Sequence, residues 1–265
     1  MNLFSITMDS FKESMQLSAR NIKIFIPSIV SLVINVIAVL IFIAILIWFM
    51  VVSNFPELSD TDFISVLRAT LPLSISGLII FGIAIPTVYT MIEAGILGML
   101  KAVIQTGNAS AADFFNGLKK YWLPIFVGLG IVGIILLVLL LSILPVALVI
   151  LAGVLTLGWA FLFAGLLINI YFGVWAAILV ADDIGAWQAI KQGYSFGNRF
   201  FWPLIIIFLA SVLITNYILN LAGSIPFVGL LGIPVAASIL STYFKLVVMK
   251  FYLTVRPDNS LSQTV

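Results

Sequence analysis

Between Lys120 and Asp182 the sequence reads YWLPIFVGLGIVGIILLVLLLSILPVALVILAGVLTLGWAFLFAGLLINIYFGVWAAILVA, 61 residues without an Asp, Glu, Lys or Arg. One helix crosses the hydrocarbon core of a bilayer with about 20 apolar residues, so a stretch of this length fits only by going out and coming back. A second such stretch, 45 residues between Arg199 and Lys245, calls for the same fold-back. Two shorter ones, 33 residues between Lys23 and Glu57 and 24 between Arg68 and Glu93, hold one helix each. Six spans follow, expected at 25–52, 72–101, 123–146, 154–181, 201–222 and 230–253. Proline and glycine mark the turns: Pro145 to Gly153 between the third and fourth, and Gly223 to Pro234 between the fifth and sixth.

Composition agrees with this reading of the whole chain. Of 265 residues, 63% are hydrophobic and 8% charged, with a mean hydropathy of +1.28. Soluble domains carry about 25% charged residues, and this chain has too few to cover a soluble surface. The fold class expected is therefore all-α: a polytopic integral membrane protein. Residues 1–256 form a single transmembrane domain and 257–265 a polar C-terminal tail. Histidine and cysteine are both absent. That removes His-based triads, thiol nucleophiles, iron–sulfur ligation, zincin-type metal sites and disulfides. No cofactor motif is present, and twelve basic residues are too few for a nucleic-acid surface.

The placement of those cations gives an orientation. With both termini cytoplasmic, eleven of the twelve fall on or beside that face: Lys12, Arg20, Lys23, Lys101, Lys119, Lys120, Lys191, Arg199, Lys245, Lys250 and Arg256. Arg68 alone falls opposite, in a loop that also carries Glu57, Asp60 and Asp62. That loop reads as a solvated acidic segment or as a weak site for a hard cation. The localisation expected is a cell membrane, multi-pass.

Three segments share one spacing: Lys23-Ile-Phe25-Ile-Pro27, Lys120-Tyr-Trp122-Leu-Pro124 and Arg199-Phe-Phe201-Trp-Pro203. Each places a cation toward headgroups, an aromatic ring at the interface and a proline in a first helical turn, where its missing N–H costs nothing. A short amphipathic stretch precedes each one. The first has Phe4, Met8, Phe11 and Met15 along one stripe. The second opens on Ser110 and Asp113, a capping box with Asp in place of Glu. The third carries Trp187, Ile190 and Tyr194, with Asp182 or Asp183 as its expected cap. Helices of this kind lie in the interface plane. The unit of interfacial helix, outward span and returning span would then occur three times, as approximate repeats 1–106, 107–181 and 182–256, making three hairpins. Alternatively, any outward-going helix tends to begin with a cation, an aromatic and a proline, which accounts for each copy singly.

The segment Ala181-Asp-Asp-Ile-Gly-Ala-Trp-Gln-Ala-Ile-Lys-Gln-Gly-Tyr-Ser-Phe-Gly-Asn-Arg-Phe-Phe-Trp-Pro203, with Gly95-Ile-Leu-Gly98 and Asp113-Phe-Phe-Asn-Gly-Leu-Lys-Lys-Tyr121, resembles a prokaryotic six-helix family. This is the membrane domain attached to some glycerophosphoryl diester phosphodiesterases, together with its stand-alone relatives. The resemblance implies a fold and a membrane location over nearly the whole chain. In the fused proteins hydrolysis belongs to a separate barrel using His and metal-binding carboxylates, which this chain lacks, so no phosphodiesterase activity is implied.

Polar residues at membrane depth are the candidate site. Charge there is costly and marks function by default. Glu93 lies about 12 Å along its helix from Lys101, and Lys245 sits at similar depth in the last span. They either pair across the second and sixth helices, or Lys245 snorkels to headgroups while Glu93 faces a wet recess. Asn35, Asn169, Asn216 and Asn220 are candidates for a polar lining or for interhelical hydrogen bonds, and Asn216 and Asn220 share a face. Ala94-x-x-x-Gly98 and Ala160-x-x-x-Ala164 are spacings for close helix contact. Gly82 and Pro86 could break the second helix near a site.

Two functions fit. One is a non-enzymatic scaffold, assembly partner or lipid-interacting component of a prokaryotic inner or plasma membrane, with anionic headgroups, a protein partner or a second copy as partners. The other is a transporter or channel for a small amphipathic or lipid-like substrate using Glu93 and Lys245. An enzyme is not expected, because acid–base work needs convergent groups and the spans hold one acid.

Overall fold

Asn21 is where the chain first turns, and its side chain explains why. Its amide donates to Leu17 O (3.1 Å) and Gly107 O (2.8 Å), and its carbonyl oxygen accepts from Ala109 N. One buried amide thus ends a helix and ties it to a loop 86 residues away. In the computed structural model, residues 3–52, 83, 85–150, 165, 167–224 and 228–256 are described. Among them every regular element is helical. In order these are α1 (Leu3–Arg20), a 3₁₀ turn (Ile22–Phe25), α2 (Ile26–Val52), α3 (Ile85–Thr106), α4 (Ala111–Ile150), α5 (Trp175–Asp182), α6 (Ala186–Arg199), α7 (Phe201–Gly223) and α8 (Val228–Val255). Four helices among the described residues are long and apolar enough to cross a membrane. A fifth follows if α1 and the start of α2 count as one span bent by 94°.

The spans expected at 25–52, 123–146, 201–222 and 230–253 fall on α2, α4, α7 and α8. Those at 72–101 and 154–181 lie partly outside the described residues, as do Gly82, the acidic loop with Arg68 and the Ala160/Ala164 pair. Pro86 stands at the second position of α3.

Three expectations need correction. Both turns start or end elsewhere: α4 runs past Pro145 to Ile150, and α8 begins at Val228 and carries Pro234 inside it. A proline at this interior position removes one i→i−4 backbone bond, and α8 continues through it. The break expected at Lys120–Pro124 is absent, since α4 is one helix of 40 residues, roughly 60 Å long. No breaker lies between Gly117 and Pro124, whereas copy one has Asn21 and copy three has Phe200 at φ −113°, ψ 35°. The expected aspartate cap of α6 is also absent. Gly185 occupies the cap without a side-chain bond. Ser110 and Asp113, by contrast, do form the reciprocal cap of α4, with Ser110 N donating to Asp113 Oδ2 (2.8 Å) and Asp113 N to Ser110 Oγ (3.3 Å).

Close packing rests on small residues. At the α3–α4 crossing, a Cβ built on Gly98 would lie 2.6 Å from the Gly117 Cα, and one on Gly117 would lie 2.8 Å from Ala94 O. The two backbones touch, as small-residue spacings allow. Trp175 of α5 fits between Gly128 of α4 and Gly193 of α6. In α1 the buried residues are Thr7, Ser10, Ser14 and Ser18, while Phe4, Met8 and Met15 are exposed. The predicted stripe therefore divides. Phe11 goes inward to meet Phe244 edge-on at 6.2 Å, and the rest faces out.

Candidate functional site

α3 and α8 each bring one ionisable residue to the middle of an apolar helix. Lys245 Nζ donates to Glu93 Oε2 at 2.6 Å, with side-chain exposures of 29% and 12%. Among the described residues each is the other's only hydrogen-bond or ion-pair partner. A Lys ammonium has three donors and a carboxylate two acceptor oxygens, so both groups keep capacity for a further partner.

This pair separates two cavities. One, of about 340 Å³, lies between α2, α3 and α8 and is lined by Ser28, Ser31, Asn35, Tyr89, Ser238 and Thr242 among others. The other, of about 360 Å³, reaches Asn169, Gly173, Ser211, Thr215 and Phe244 between α3, α7, α8 and the helical residues before α5. Glu93, Ala237, Ser241 and Lys245 line both. Ala237, Ser241 and Lys245 are four residues apart and so form one stripe of α8. Ser28 and Thr242 hydroxyls bond each other across α2 and α8 at the wall of the first cavity. Thr242 also reaches Ser238 O at 3.1 Å.

The structure brings Glu93 and Lys245 together, and it sets Asn35 in one cavity and Asn169 in the other. Asn169 returns its amide to Gly165 O at 2.8 Å. Asn216 and Asn220 line neither cavity. Both are exposed, and Asn216 donates to Val212 O of its own helix at 2.8 Å. Of the interfacial anchors, Lys23 and Arg199 are exposed, Phe25, Pro27, Trp122, Pro124 and Phe201 are half-buried, and Pro203 is buried. Arg199 stacks on Phe200 at 5.3 Å. Charge spacing does not point to the hydroxyls lining the first cavity. A signal was present: Ser28, Ser31 and Asn35 in α2, and Ser238, Ser241 and Lys245 in α8, each recur at i, i+3, i+7, a polar stripe in an otherwise apolar helix.

Toward the basic ends of these helices lies a second charged layer. Asp183 sits at the end of α5 in the left-handed region, φ 56° and ψ 38°, which Asp tolerates better than most residues. It binds Lys101 at 2.9 Å and Lys120 at 2.8 Å and accepts the Tyr121 hydroxyl. Burial alone would raise its pKa. Hydrogen bonds from Lys120, Tyr121 and Lys101 outweigh that and hold it well below the usual carboxylate range. Lys101 also donates to Val180 O at 2.7 Å. Asp182 faces the other way, accepting from Tyr252 of α8 and pairing at 2.5 Å with Arg256, the residue after α8. Two adjacent acids thus clamp α5 to α3 and α4 on one side and to α8 on the other. A further pair, Lys250–Glu13 at 2.7 Å, ties α8 to α1. The clamp anchors the two ion-paired helices about 12 Å from Glu93.

No protein-family model, curated protein or solved structure matches this chain. Among the described residues no group of three or more His, Cys, Asp or Glu is placed to hold a metal ion.

Proposed function

We propose that the chain is a non-enzymatic, multi-pass membrane protein of six spans with cytoplasmic termini, and that it binds and passes a small amphipathic or lipid-like molecule at Glu93 and Lys245. One observation carries this reading: the ion pair stands between two hydroxyl-lined cavities and contributes to both. A pair that served packing alone would have no need of adjoining space. Burying two charges is expensive even when they meet, and a substrate supplies a reason for it. The resemblance to the six-helix membrane domain would contribute fold and location to this account, and no hydrolysis.

The absence of native cysteine gives a direct test. Ser241→Cys places a thiol where both cavities meet, and Leu213→Cys places one on the exposed apolar face of α7. A small, charged, membrane-impermeant thiol reagent labels Ser241→Cys in membranes and leaves Leu213→Cys unlabelled. Equal reactivity at the two positions would overturn the reading.

A second reading, a scaffold or lipid-interacting component, is supported by a different observation. Met8, Lys12 and Met15 are exposed on one face of α1, and Trp187, Lys191 and Tyr194 on one face of α6. Phe115, Lys119 and the half-buried Trp122 repeat that i, i+4, i+7 pattern in α4. Apolar groups flanking a cation suit an interfacial helix on an anionic inner leaflet, where each basic residue contributes about 1 kcal/mol. Flotation with vesicles containing anionic lipid checks it. Loss of α6 peptide binding on Lys191→Ala with Trp187→Ala is the expected outcome, and unchanged binding counts against it.

A further inference from the structure

The site proposed above is electrically neutral, and its neutrality selects a ligand. Glu93 and Lys245 cancel each other, and the other polar groups on the cavity walls are hydroxyls and amides. A ligand of net charge entering this space would leave one charge uncompensated in an apolar bundle, which costs several kcal/mol. A neutral ligand without charges would leave unused the free acceptor of Glu93 and the free donors of Lys245. A ligand bearing one cation and one oxyanion a few bonds apart meets both requirements.

We infer that the Glu93–Lys245 site takes a zwitterion, an ammonium group joined to a carboxylate or phosphate, with the ammonium at Glu93 and the oxyanion at Lys245. This inference rests on the ligand-binding reading of the same pair. The geometry is favourable on both sides, because the two charged groups face cavities of similar volume that share the Ala237–Ser241–Lys245 stripe. Ser241 and Tyr89 lie beside the pair as hydroxyl partners for the oxyanion or the ammonium. Inserting such a ligand exchanges one ion pair for two and leaves the net charge of the site at zero. The intramembrane pair then acts as the partition between the cavities, opened by the ligand that replaces its internal bond.

The chemistry is shared by zwitterionic lipid headgroups and by free amino acids, and the experiment separates them. Protein purified in a non-ionic detergent is titrated with short-chain phosphatidylethanolamine, short-chain phosphatidylglycerol, an alkyltrimethylammonium of the same chain length, and alanine, with thermal stabilisation as the readout. The zwitterionic lipid, or alanine if the ligand is a free amino acid, stabilises the wild type best. Glu93→Gln makes the site cationic and shifts preference toward phosphatidylglycerol. Lys245→Gln makes it anionic and shifts preference toward the alkyltrimethylammonium. Each single variant loses zwitterion affinity at least about 30-fold. The double exchange Glu93→Lys with Lys245→Glu restores the zwitterion preference, which a folding defect could not produce. If an anion or cation of fixed sign binds the wild type best and does so through this pair, the zwitterion inference fails while the binding site stands. If no ligand responds to either substitution, the binding site itself is wrong.

Discussion

Gly117→Ala should push α4 away from α3, the helix that carries Glu93, and the distances say by how much. The new methyl would lie 2.8 Å from both Ala94 O and Gly98 Cα, all of them backbone atoms that no rotamer change can move. Ordinary contact begins at 3.4 Å, so α3 and α4 have to part by about 0.6 Å at their tightest point. Overpacking of this kind costs about 1–3 kcal/mol. Gly133→Ala on the same helix meets nothing within 4 Å and gains up to about 1 kcal/mol in helix propensity. The two substitutions are chemically identical and opposite in sign. Thermal unfolding followed by intrinsic fluorescence suits a chain with six tryptophans. At about 2–4 °C per kcal/mol for a chain approaching this size, Gly117→Ala should lower Tm by several degrees and Gly133→Ala should leave it unchanged or slightly raised. If Gly117→Ala unfolds at or above the wild-type temperature, the backbone contact between α3 and α4 does not exist as described.

Other outcomes follow from the same packing. Asn21→Ala strips three hydrogen bonds from a buried junction, and leaving buried backbone groups unmet costs about 1–3 kcal/mol; faster proteolysis at the α3–α4 loop is the companion readout. Ser110→Ala removes the α4 cap at about 1 kcal/mol, read as a lower Tm that Ser110→Thr largely restores. Asp183 has a depressed carboxyl pKa, so its stabilisation is complete above the usual carboxylate value near 4 and fades as pH falls from there toward its lowered value. Asp183→Asn should therefore reduce Tm at pH 7, where Lys101 loses its carboxylate, and flatten the fall in Tm below pH 4. An acid limb identical to the wild type would show that other groups cause it.

Charge spacing made the helices legible, because Asp, Glu, Lys and Arg are excluded from long apolar spans whatever the tertiary packing. It also made the axial distance between Glu93 and Lys101 legible, since helical rise converts residue number into distance. Which face of α1 turns inward was not legible. The moment of Phe4, Met8 and Met15 points to an apolar surrounding, and lipid is as apolar as a protein core. The small hydroxyl face, Thr7 to Ser18, packs because it permits close approach. The roles of Asp182 and Asp183 were hidden for another reason. Adjacent acids before a helix suggest a local cap, whereas their partners Tyr121, Tyr252 and Arg256 are 62 to 74 residues away. Helix continuity through Lys120–Pro124 was hidden because segments of the same spacing accompany a break elsewhere, at Asn21 and at Phe200.

The proposed function turns on Glu93 and Lys245 acting as one unit, and a double-mutant cycle measures their coupling directly. Glu93→Gln and Lys245→Met, singly and together, are compared by unfolding free energy in one detergent. Removing either partner of a buried pair costs about 3–5 kcal/mol, and the account predicts that the double variant loses less than the two singles combined, with a coupling of at least about 1.5 kcal/mol. Additive losses, within about 0.5 kcal/mol, would mean that the two charges act separately and that the pair between the cavities is not the site.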